Sequence, residues 1–210
     1  MNDRINTEKP AAAFHLPRWN ELPDIGLYMD QVITLINKYI ERLSACGDGT
    51  LTPSMINNYV KLGIIPCPVK KKYSRVQLSR LIMICVMKPV LPIQSIGSLI
   101  DTLLLTRTEE QLLDFFSERY EQTFLRINDM LHTTMSDVSQ SETDGAAMLS
   151  LSAMHAAAIS GGSKLLAENA LVQLRRMTEP ENEASDEKDK KSEKKSKEKK
   201  DKKDRSEQEE

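Results

Sequence analysis

Between Leu51 and Gly63 the chain spells out both ends of a short helix, LTPSMINNYVKLG. Thr52 is a good N-cap residue, because its hydroxyl can accept a hydrogen bond from an amide of the first turn. Pro53 falls at the first helical position, where a missing N–H costs nothing. Gly63 suits the left-handed residue that closes a helix. The spacing therefore predicts a helix over residues 53–62. Ile56, Tyr59, Val60 and Leu62 can face inward. Ser54, Asn57, Asn58 and Lys61, at i, i+3, i+4 and i+7, form one polar stripe.

The segment that follows, IIPCPVKKKYS, is too rich in proline for a helix. It reads as two short extended pieces around a turn that carries Lys70, Lys71 and Lys72. Ser74 and Gln77 form a capping box that opens a third helix over 75–88. Val76, Leu78, Leu81, Ile82, Ile84, Cys85 and Val86 give that helix a mostly buried surface. Pro89 and Pro92 break the chain before a helix over 93–105 with Ile96, Leu99, Ile100 and Leu103 inward. Thr108 and Gln111 make a second capping box, and a long helix over 109–135 follows. Leu112, Phe115, Phe116, Tyr120, Phe124, Ile127 and Leu131 run along it as a stripe.

Upstream, FHLPRWNELPDI, residues 14–25, reads as an extended arm pinned by its aromatic residues. A first helix is expected to start near Asp24–Leu27 and to run to Leu43, with Gly47 and Gly49 ending it. Downstream, MSDVSQSETDG breaks the helical pattern. Residues 146–177 resume it, with Gly161 and Gly162 as an expected interruption. Small residues at Ala153, Ala156, Ala157 and Ser160 would allow close helix packing or line an effector pocket. Residues 1–13 and 179–210 are expected to be disordered. The latter are almost entirely Lys, Glu, Asp and Ser, and cannot bury enough apolar surface to offset chain entropy. The organisation expected is a DNA-binding domain over 14–105, a helical dimerisation or effector region over 106–178, and the charged tail.

Charge is distributed unevenly. The chain as a whole carries 29 basic and 31 acidic side chains, yet no carboxylate lies between Asp48 and Asp101. That stretch holds Lys61, Lys70, Lys71, Lys72, Arg75, Arg80 and Lys88. A near-neutral total does not exclude a nucleic-acid surface, because a phosphate feels the local potential. A three-lysine run is usually only a solvated turn. Here the missing acids and the capped helix before it favour phosphate contact.

Other function classes find little support in the residues. There is no phosphate loop and no GxSxG, and Gly161-Gly162-Ser163-Lys164 has suitable residue types without the spacing or the preceding strand. No enzyme activity and no cofactor are expected. His15, His132 and His155 never approach metal-ligand spacing. Cys46, Cys67 and Cys85 contain no CxxC pair, and Cys85 reads as core. No apolar run reaches the roughly 18 residues of a membrane span, and the first residues lack the apolar stretch of a signal peptide, so a cytoplasmic protein is expected.

LTPSMINNYVKLGIIPCPVKKKYSRVQLSRLIMICVMKPVLPIQSIGSLI resembles the DNA-binding region of MerR-type regulators. The likeness rests on Tyr59, Lys61, Leu62, Gly63 and Ile64, then Pro66, Tyr73-Ser74, Leu78, Leu81 and Ile96. The preceding LPRWNELPDIGLYMDQVITLINKYI is not typical of MerR proteins and resembles the start of an uncharacterised bacterial family that carries a MerR-like module. Two departures stand out. Asn57 and Asn58 occupy the place of the usual Arg-Tyr before the recognition-helix tyrosine. The wing is short, with lysines for arginines, which would either weaken phosphate clamping or move it to Lys61, Arg75 and Arg80. The resemblance implies an all-α protein with a small β wing, a MerR-like winged helix-turn-helix followed by a C-terminal helical region. It also implies a homodimer built on the long helix 109–135 and promoter distortion as the mode of regulation.

The function expected is a transcriptional regulator of double-stranded DNA, with a small-molecule effector possible. Ser54, Asn57, Asn58, Tyr59 and Lys61 would lie on the reading helix, where Asn pairs bidentately with adenine. Lys70, Lys71, Lys72, Tyr73, Arg75 and Arg80 would hold phosphates. The alternative is a protein-interaction adaptor that keeps the fold without binding DNA.

Overall fold

A computed structural model describes residues 15–41, 50–139 and 145–178, with the backbone alone described for 134–139. The expected disordered ends at 1–13 and 179–210 lie outside the described residues, as do Leu43, Cys46, Gly47 and Gly49. Contacts divide the chain into two units, Met1–Lys164 and Leu165–Glu210. In the second, only residues 165–178 are described.

The protein is mostly helical. A 3-10 turn at Trp19–Glu21 precedes α1 (Met29–Ile40), α2 (Pro53–Lys61), α3 (Arg75–Met87), α4 (Ile93–Leu104), α5 (Glu109–Ser139) and α6 (Gly145–Thr178). The punctuation read from the sequence holds at both ends of α2. Thr52 Oγ1 accepts from the Met55 amide at 3.3 Å. Gly63 closes the helix at φ +73°, with the Gly63 amide on Val60 O and the Ile64 amide on Tyr59 O, both 3.0 Å. Those two bonds are a Schellman motif, and they tuck Ile64 into the core. At the start of α3 the Ser74 amide donates to Gln77 Oε1 at 2.7 Å. Thr108 and Gln111 complete a reciprocal box at the start of α5, 3.1 and 3.2 Å.

α3 is the core. Leu78, Leu81, Ile82, Met83, Ile84, Cys85 and Val86 are all buried along it, so it is apolar nearly all round. α1 covers it with Val32, Ile36 and Ile40, α2 brings Ile56 and Tyr59, and α4 brings Ile96 and Ile100. The first turn of α5 adds Leu112 and Leu113, so α5 begins inside the same packed body. Gly97 of α4 is needed for that fit, because a Cβ there would meet Ile64 Cγ1 at 2.9 Å.

Four expectations are corrected. α1 starts at Met29 rather than near Asp24–Leu27, because Leu27 is extended and exchanges two backbone hydrogen bonds with Tyr73, 2.9 and 2.8 Å. The β wing is reduced to isolated bridges, Leu27 with Tyr73 and Val69 with Lys72, and no longer strand exists among the described residues. α5 continues to Ser139, past the expected end at 135. Gly161 and Gly162 do not interrupt α6. Each glycine costs a helix interior about 1 kcal/mol, and the surrounding Ala, Leu, Ser and Lys residues carry the helix through.

Among the described residues no helix is long and apolar enough to cross a membrane, and no group of three His, Cys, Asp or Glu could hold a metal ion.

Candidate nucleic-acid interface

The polar stripe of α2 points outward. Ser54, Asn57, Asn58 and Lys61 are all exposed, while Ile56 and Tyr59 are buried beneath them. No side-chain hydrogen bond or ion pair to a described residue engages the two asparagines. No acid occurs within α2 or in the loop after it.

The loop is anchored at both ends. Gln77, itself buried, reaches back from α3 so that its Nε2 donates to Cys67 O at 3.3 Å. Val69 and Lys72 then exchange both backbone hydrogen bonds, 3.1 and 2.9 Å, around a two-residue turn. Lys70 and Lys71 sit at that turn with φ +50° and +63°. Positive φ at both central residues defines the type I′ hairpin turn, for which Asn-Gly is preferred. Two lysines hold a left-handed conformation here that ordinarily costs a side-chain-bearing residue about 1–2 kcal/mol.

Lys72 has a different surrounding. Its Nζ lies 5.3 Å from the centroid of the Tyr28 ring, and its stem packs over Gly26, where a Cβ would meet Lys72 Cβ at 2.9 Å.

The remaining expected contacts are turned into the protein. Tyr59 and Tyr73 are each only 3% exposed, and burial pushes both phenols above their ordinary pKa. Their rings fill the core beneath α2 and beneath the hairpin. Arg80 is knitted to three elements: its guanidinium donates to Glu109 Oε1 at 2.7–2.8 Å, to Ile64 O at 3.0 Å and to Asp101 Oδ1 at 3.5 Å. Arg75 is half-committed. Its Nε donates to Leu22 O at 3.0 Å, and its Nη1 lies 3.7 Å from the exposed Asp24 carboxylate. Of the basic residues in the acid-free block, Arg80 is spent within the fold and Arg75 partly so, while Lys61, Lys70, Lys71 and Lys72 are exposed.

The cysteines separate by environment. Cys85 is buried, and desolvation pushes its thiol up to about 11, which makes it inert core as expected. Cys67 is exposed between two prolines, and Cys46 lies outside the described residues.

Sequence reasoning left the N-terminal arm without a role beyond an aromatic anchor. The structure fastens it to α5 with polar groups. Asp114, Ser117 and Glu121 share one face of α5 at i, i+3 and i+7. Asp114 Oδ1 accepts from the Trp19 amide at 2.7 Å, and the buried Ser117 hydroxyl donates to Pro17 O at 3.0 Å. Glu121 accepts from the Leu16 amide at 2.8 Å and from Arg18 Nη2 at 2.7 Å, with His15 Nδ1 3.0 Å away. The available signal was that spacing of Asp114, Ser117 and Glu121, polar residues beside an otherwise apolar stripe.

No curated protein and no solved structure matches the chain. A family model does match residues 17–124. Those bounds run from Pro17 within the arm to just past Glu121, so they enclose most of the arm, α1 to α4 and the part of α5 that holds the arm. This chain belongs to the family described as Domain of unknown function (DUF1836).

Proposed function

We propose that this protein binds double-stranded DNA as a transcriptional regulator, with the α1–α2–hairpin–α3 order serving as a MerR-like winged helix-turn-helix. The observation that carries the reading is the hairpin turn. Lys70 and Lys71 occupy two left-handed positions where Asn and Gly would be nearly free of strain. Strain held at a surface tip points to a use for the charges there. The exposed stripe of Ser54, Asn57, Asn58 and Lys61 supports α2 as the reading helix, with Asn57 and Asn58 as adenine-pairing candidates. Lys61, Lys70, Lys71 and Lys72 are the phosphate contacts. Tyr59, Tyr73 and Arg80 act by holding α2, the hairpin and α3 together.

A homodimer fits this reading, since DNA readers of this class pair their half-sites by two-fold symmetry. Along the distal part of α5, Phe124, Ile127 and Leu131 fall at i, i+3 and i+7, one side of the helix on which a second copy could pack. The test is selection of bound duplexes from a random library, which should return a palindromic site. Replacing Lys70 and Lys71 with Ala should weaken binding to every duplex and flatten the log–log salt slope by about 1.8, at about 0.9 for each phosphate no longer neutralised. Asn57→Ala or Asn58→Ala should instead relax sequence preference at one position. Unchanged binding in all of these variants would leave the adaptor reading.

A further inference from the structure

Residues 15–28 run as one strap. Its first half is bonded to α5 through Asp114, Ser117 and Glu121. Its middle accepts from Arg75 at Leu22 O. Its end pairs with the hairpin, where Leu27 and Tyr73 exchange both backbone hydrogen bonds.

That last pairing fixes which side chains share a face. Successive residues of an extended segment point to opposite sides. Leu27 and Tyr73 are both buried, so they take the inner face. Gly26 and Tyr28 on the strap, and Lys72 on the hairpin, take the outer one. The contacts agree: Lys72 Cβ lies over Gly26, and Lys72 Nζ sits 5.3 Å from the centroid of the Tyr28 ring. Tyr28 is nonetheless 51% exposed. An exposed tyrosine beside a lysine presents a hydroxyl donor and a cation side by side. Both are common ligands of the DNA sugar–phosphate backbone.

Resting on the DNA reading above, the geometry points to Tyr28 as a further phosphate-contacting residue, working as a pair with Lys72. Gly26 is the positioning residue for that pair. The bare glycine lets the hairpin close onto the strap, and the Tyr28 ring holds the lysine that would otherwise sample many rotamers. The interface therefore extends beyond the reading helix and the hairpin tip onto the N-terminal arm.

The two kinds of contact differ in their salt dependence. A neutral phenol that donates to a phosphate displaces no counterion, whereas a lysine does. Binding of a fluorescein-labelled random-sequence duplex should be followed across a salt series for wild type, Tyr28→Phe, Tyr28→Ala, Gly26→Ala and Lys70→Ala/Lys71→Ala, each with a thermal melt. Tyr28→Phe keeps the ring and removes only the hydroxyl. It should weaken binding several-fold with wild-type slope and an unchanged melt. Tyr28→Ala should weaken it further and flatten the slope, because Lys72 loses its support. Gly26→Ala should flatten the slope by about 0.9, the share of one lysine. Should wild type bind and the Lys70/Lys71 variant fail while both Tyr28 variants bind like wild type, the arm contact is overturned and the DNA reading stands. If wild type itself binds no duplex at low salt, both are overturned together.

Discussion

The face made by α2 and the hairpin and the seam between the arm and α5 are built from similar residues with opposite outcomes. Along the seam, Asp114, Ser117 and Glu121 each meet a partner on the arm, and Glu121 alone gathers the Leu16 amide, Arg18 and His15. Across the other face, Asn57, Asn58, Lys70 and Lys71 are exposed without such partners among the described residues. Polar groups that hold a fold together are paired where water is scarce. Polar groups that await something outside stay in water, where leaving them unpaired costs little. The acid-free block is split by the same rule. Arg80 is bound inward, and its planar guanidinium suits simultaneous contacts to Glu109, Asp101 and a carbonyl. The lysines, strongly hydrated point charges, remain outside.

The sharpest way to break this contrast is at Arg80. If it is structural, Arg80→Ala should lower unfolding stability by about 3 kcal/mol, the usual penalty for stripping one partner from a mostly buried ion pair. Urea titration measures it. DNA affinity measured well below the unfolding midpoint should then fall little, and a large loss of affinity with unchanged stability would move Arg80 to the other side of the comparison. A smaller effect is expected on the seam. Glu121→Ala removes the charge-assisted hydrogen bonds from the Leu16 amide and from both Arg18 Nη atoms and should cost about 2 kcal/mol. It should also raise amide hydrogen exchange across residues 15–19. Equal exchange in variant and wild type would show that the arm is held by Trp19 and its apolar neighbours alone.

How far this was legible in the sequence differs by element. The ends of α2, α3, α4 and α5 were readable within a residue or two, apart from the C-terminal end of α5, because local chemistry sets them: Thr52, Pro53 and Gly63 around α2, and the capping boxes Ser74–Gln77 and Thr108–Gln111. The start of α1 was not, because it depends on Leu27 pairing with Tyr73, a partner far along the chain. Gly161 and Gly162 misled for a related reason. Propensity makes them a break, but a long run of strong helix formers on both sides carries α6 past them. For the candidate site, the stripe on α2 followed from its 3.6-residue period. The division between inward arginines and outward lysines did not, since Glu109 and Asp101, which capture Arg80, come after the acid-free block ends. The Tyr28–Lys72 pair was equally hidden, as it needs the arm and the hairpin to be side by side.

The smallest expected effect bears on the hairpin turn itself, and it separates stability from binding by sign. Val69 and Lys72 are paired directly, and the two residues between them both take positive φ in a type I′ turn. Asn tolerates that region better than most residues, and Gly enters it without steric cost. Lys70→Asn/Lys71→Gly should therefore relieve strain in the folded state. Part of that gain is offset because glycine has more freedom in the unfolded chain, by about 0.4–1 kcal/mol. A net stabilisation of about 0.5–1 kcal/mol is expected after setting this against the left-handed cost, read as a small rise in melting temperature. If the lysines are there only because the turn is solvated and tolerant, the variant should be more stable and otherwise unchanged. If they are there for phosphates, the same variant should be more stable and bind DNA less tightly, with a shallower salt slope. A variant less stable than wild type would mean that the lysine stems contribute packing at the tip, and the strain would no longer speak for function.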